Sequence, residues 1–106
     1  MTAPLTPSLA LAYLHELSVD VRAAVVLDPD GRPAAGDGQL ADRARALLPS
    51  GPGTVARDGS LLVARTSDGG GLALLAGDFA LLPLLEHDLG RLAEALSDQP
   101  ETRDSP

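Results

Sequence analysis

Residues 60–77 read SLLVARTSDGGGLALLAG, and how this stretch is read decides the fold. SLLVART (60–66) and GLALLAG (71–77) are short apolar runs with SDGGG (67–71) between them. Runs of this length bounded by glycine suit strands buried on both faces, and a glycine-rich connection suits a loose hairpin loop. Immediately upstream, TVARD (54–58) is joined to the first run through Asp58-Gly59. Asp-Gly is a strong hairpin signal, because glycine takes a positive φ without steric cost. The second half of the chain therefore predicts three consecutive antiparallel strands.

Downstream, Leu82, Leu85, Leu89, Leu92, Ala93 and Leu96 recur at helical spacing, with Pro83 tolerated in the first turn. In the first half, Thr6-Pro7 is a helix-start signature. Leu9, Ala10, Tyr13, Leu14 and Leu17 then fall on one face of a helix of about three turns. RAAVVLD (22–28) changes to a valine-rich strand pattern, Asp28 to Gly31 reverses the chain, and Arg32 to Ala35 returns. Asp37 can cap a second helix with Leu40, Ala44, Leu47 and Leu48 as its apolar stripe, stopped by Pro49 and Gly51. The expected order is α-β-β-α-β-β-β-α. Tight hairpins make nearly every connection, so this α+β chain predicts an antiparallel sheet of five strands sandwiched by helices.

At 106 residues the chain suits one domain. That domain is expected over 7–98, with a flexible N-terminus at 1–6 and a disordered C-terminal tail at 99–106, where the ending is polar and proline-containing. All eight basic residues are arginine, and lysine, asparagine and isoleucine are absent. A high-GC bacterial genome accounts for that usage. The net charge of −7 repels phosphates, with no arginine cluster to offset it, so no nucleic-acid partner is expected. Without cysteine there is no disulfide framework or thiolate metal site. The N-terminal segment lacks a basic n-region, and no apolar run approaches the roughly 20 residues that span a bilayer. A cytoplasmic location without direct membrane insertion is expected.

No active-site motif emerges from the residues that could carry chemistry. Asp28-Pro29-Asp30-Gly31 begins like a calcium loop, but Arg32 and Gln39 stand at the fifth and twelfth positions, where oxygen ligands are needed. Proline, aspartate and glycine here each serve a turn instead. His15 and His87 are placed almost opposite their helices' apolar stripes, and neither has a metal-binding partner three or four residues on. G-x-S-x-G is missing, and a chain without lysine cannot carry a Walker-type phosphate loop. Glu86, Asp88 and Glu94 read as a solvated helix face, with Asp88 and Arg91 spaced for a weak i,i+3 contact. No enzyme, cofactor or metal is expected.

ALAYLHELSVDVRAAVVLDPDGRPAA (10–35) and SLLVARTSDGGGLALLAG running into the last helix resemble the roadblock/dynein light chain family, whose fold is profilin-like. The resemblance covers about residues 7 to 98. It implies a five-stranded antiparallel sheet with the second helix on one face and the first and third on the other. It also implies a homodimer joined through the second helix and third strand, and a non-catalytic role as scaffold or regulator of a small Ras-like GTPase. On this chain the implied interface comprises Leu40, Arg43, Ala44, Arg45 and Leu47 of the helix with Thr54, Val55, Ala56 and Arg57 of the strand. Leucines and alanine there are expected against the sheet, and the arginines towards solvent. The residues themselves support an edge at 54–58, since its alternation is too weak to bury both faces. The alternative is a small-ligand sensor domain of profilin-like or PAS-like type, whose pocket, with Tyr13 and Phe79 as the sole aromatics, would be leucine- and alanine-lined.

Overall fold

The computed structural model describes residues 7–17, 20–51, 53–66, 69–78 and 80–97. The expected N-terminal segment 1–6 and tail 99–106 lie outside the described residues, as do Phe79, part of the 67–71 loop and the side chain of Leu96. The elements are α1 (Pro7–Glu16), β1 (Val21–Leu27), β2 (Pro33–Gly36), α2 (Gly38–Leu47), β3 (Val55–Asp58), β4 (Leu61–Arg65), β5 (Gly71–Ala76) and α3 (Leu82–Ser97). The order is the expected one, and element ends fall within a residue or two of the sequence reading.

One five-stranded antiparallel sheet runs β2-β1-β5-β4-β3. The β1–β5 ladder brings the two halves of the chain together, pairing Val25 with Ala73 and Leu27 with Gly71. Because strand side chains alternate, each central strand feeds two cores. On one face Ala24, Val26, Leu62, Ala64, Leu72 and Leu74 meet Ala10 and Leu14 of α1 and Leu85, Leu89 and Ala93 of α3. On the other, Val25, Leu27, Leu61, Val63 and Ala73 meet Leu40, Ala41 and Ala44 of α2. This double burial is why β1, β4 and β5 read as near-continuous apolar runs.

The β1–β2 turn is built as its sequence predicts. Asp28 Oδ1 accepts from the N–H of Asp30 at 3.0 Å and of Arg32 at 2.9 Å, while Gly31 takes φ +84°. Asp37 caps α2, its carboxylate accepting from Gln39 N at 2.9 Å. In the β3–β4 hairpin the two-residue loop is Gly59-Ser60, with Asp58 opposite Leu61 and Gly59 at φ +62°.

One expectation needs correcting. In α1, Ala10 and Leu14 are buried and Leu17 half-buried, but Leu9 and Tyr13, expected on the same apolar face, are exposed at 43% and 39%. The apolar stripe is wider than the contact a three-turn helix makes with a sheet, so its flank stays in water. His15, expected opposite the apolar stripe, is exposed and lies in the last turn of α1.

Candidate interaction edge

Among the described residues β3 has β4 as its one neighbour in the sheet, which leaves its other side open. The hydrogen bonds at its start fix which groups point where. Arg65 N donates to Thr54 O at 3.3 Å, and Gly53 N donates to Arg65 O at 2.7 Å. Backbone groups alternate sides along an antiparallel strand. Thr54, Ala56 and Asp58 therefore turn their carbonyls to β4, and Val55 and Arg57 present N–H and C=O to the open edge.

Side chains alternate between the two faces in the same way. Val55 packs half-buried against the core of α1 and α3, and Arg57 on that side pairs with Glu86 of α3 at 2.7 Å. Glu86, expected on a solvated face, thus ties the last helix to the edge strand. Asp88 and Arg91 form no ion pair among the described residues. Ala56 and Asp58 fall on the face of α2, Ala56 half-buried and Asp58 exposed. Upstream, the Thr54 hydroxyl donates to Gly51 O, and Arg65 Nε donates to Pro49 O at 2.6 Å. Those bonds hold the 49–54 connection, which the sequence reads only as irregular.

In α2, Leu40 and Ala44 are buried against the sheet and Leu47 is half-buried there. Arg43 and Arg45 are both exposed, in keeping with the sequence reading. The two arginines differ in what they do: Arg45 donates to Gly31 O at 2.6 Å and pairs with Asp42, clasping the helix to the β1–β2 turn. Nothing in the sequence pattern announces that clasp, because its partner is a backbone carbonyl fourteen residues away. The second sheet edge, β2, is four residues long, opens on Pro33 and carries a register shift opposite Val26 and Leu27.

Among the described residues four large apolar side chains are exposed: Leu9 and Tyr13 on α1, with Leu81 at 68% and Leu84 at 54% around the start of α3. Sequence reading missed the last two, since attention goes to the longer stripe beginning at Leu82. For the opening aspartates, Asp28 spends its carboxylate on the turn, and Asp30 is exposed. Among the described residues no group of three or more histidine, cysteine, aspartate or glutamate side chains could hold a metal ion. No described helix is long and apolar enough to cross a membrane.

Scanned against protein-family models the chain matches none, and no curated protein matches it. Among solved structures it is similar to the profilin in the crystal structure of the LokiProfilin1/rabbit actin complex. The TM-score is 0.62 at 10% identity, over 91% of this chain and 98% of that one. The fold is profilin-like.

Proposed function

We propose that this chain is a non-catalytic protein-interaction module that associates with its own copy through β3 and α2 and serves as scaffold or regulator of a small Ras-like GTPase. The observation that carries it is the open edge of β3, where Val55 and Arg57 offer two donors and two acceptors to a further strand. An edge of this kind is a template for another chain, and pairing with a second copy covers it. Two further supports are independent of the edge. The profilin with the similar fold was crystallised with a protein, rabbit actin. The GTPase as partner follows from the roadblock resemblance of 10–35 and 60–77, and at 10% identity the solved neighbour transfers no contact residue.

Light scattering tests the association and Val55→Pro tests its location. Proline deletes a donor that β4 does not use, so the variant should keep its fold by circular dichroism while losing the dimer. A parent that is monomeric at tens of micromolar overturns the association. Capture of partners by the tagged chain, with identification by mass spectrometry, tests the GTPase. A GTPase bound directly by the purified chain supports that reading, whereas a stoichiometric co-purifying small molecule replaces it with the ligand-sensor alternative.

A further inference from the structure

The strand also limits how two copies can fit, and, resting on the proposed self-association, the geometry points to a single register. We infer that two β3 strands pair antiparallel about a two-fold axis passing beside Ala56, with Val55 of each copy opposite Arg57 of the other.

Strand parity restricts the choice. Groups aimed at the open edge belong to Val55 and Arg57, so only these residues can form hydrogen-bonded pairs across it. A two-fold axis leaves three registers that use them. Centring on Val55 would place Arg57 against Gly53, which has left the strand at φ +78° and already spends its N–H on Arg65 O. Centring on Arg57 would set two guanidinium groups directly opposite, which is destabilising, and Val55 against Gly59 of the hairpin loop. Centring on Ala56 uses both outward residues of each copy, makes four inter-strand hydrogen bonds, and overlaps the whole of 54–58.

Side-chain chemistry favours the same register. On the α3 face it lays the aliphatic stem of Arg57 along Val55 of the other copy. The Arg57 guanidinium is already held by Glu86, so no unpaired charge is brought to the seam. On the α2 face Ala56 meets Ala56, flanked on each side by Thr54 of one copy beside Asp58 of the other, so that no two like charges stand opposite. The other edge is a poor competitor: β2 is four residues long, Pro33 lacks a donor, and the ladder is shifted at Leu27.

A chain without cysteine gives this a direct test. In the inferred register the two Ala56 residues form a non-hydrogen-bonded pair with Cα atoms about 4.5 Å apart, within the roughly 4.4–6.8 Å of disulfides. The two copies of residue 55, like those of residue 57, are diagonally offset and poorly placed for bonding. Under mild oxidation Ala56→Cys should convert to a species of twice the mass, while Val55→Cys and Arg57→Cys lag behind it. Thr54→Cys/Asp58→Cys should cross-link as well, and it stands in for Ala56→Cys should that variant, reduced, scatter as a monomer. If Val55→Cys or Arg57→Cys reacts in preference, the register is wrong while association through β3 stands. Where the parent is dimeric and none of the variants cross-links, β3 is not the seam. A monomeric parent removes the self-association itself.

Discussion

Asp28 shows how one side chain can look like a ligand and be a hinge pin. Its Oδ1 collects two N–H groups of the turn, leaving the residue committed within its own loop. Calcium at millimolar concentration should therefore leave the melting temperature unchanged; a rise of several degrees would reveal a bound ion, since a ligand specific to the native state stabilises it. Asp28→Ala frees two exposed donors that water can satisfy, so a loss of about 1 kcal/mol is expected from the urea midpoint. Leu89 is the opposite case, with no exposure and sheet on one side of it. Leu89→Ala should cost roughly 2–5 kcal/mol, read from the same denaturant curve. Leu84, five residues before Leu89 in the same helix, lies on another face and is more than half exposed, so Leu84→Ser should change stability by no more than about 0.5 kcal/mol. A comparable loss from both variants would mean that the α3 face is assigned wrongly.

At the scale of elements, legibility followed how many constraints each segment carries. β4 and β5 are apolar on both faces and bounded by glycine, so only a strand fits them, and their bounds were readable to within a residue or two. Asp37 announced α2 because its side-chain oxygen can accept from the otherwise unpartnered N–H groups of a first helical turn. The face of α1 was less legible: Leu9 and Tyr13 satisfy helical periodicity, yet whether a flank position is covered depends on the separation of neighbouring helices, which no local pattern encodes. The same holds for the β3 edge. Residues 54–58 pointed to a weak strand, but which of its amides face outward emerges only from the bonds between Arg65 and the 53–54 segment. The Arg57–Glu86 pair, joining residues far apart in sequence, was likewise invisible beforehand. With both side chains more than a third exposed it contributes little, and Glu86→Gln should cost less than about 1 kcal/mol in thermal or urea denaturation.

Across the whole molecule the two sheet edges are unequal, and that inequality gives the proposed association its direction. β2 is short and interrupted, whereas β3 is regular and turns its unused amides outward. An isologous contact at β3 alone closes at two copies, because each strand is consumed by its mate. Light scattering from the low micromolar range upward should therefore report a plateau at twice the monomer mass; continued growth would point to β2 as a second contact. The strand order carries a separate consequence. Residues of α1, β1, β2 and α2 all precede those of β3, β4, β5 and α3, and between these halves the sheet has one seam, β1 against β5. A nick at Ser50 would sever no strand and no helix. Two polypeptides co-expressed as 1–50 and 51–106 should find each other through that seam and co-purify, making the protein a candidate for reconstitution from separately encoded parts.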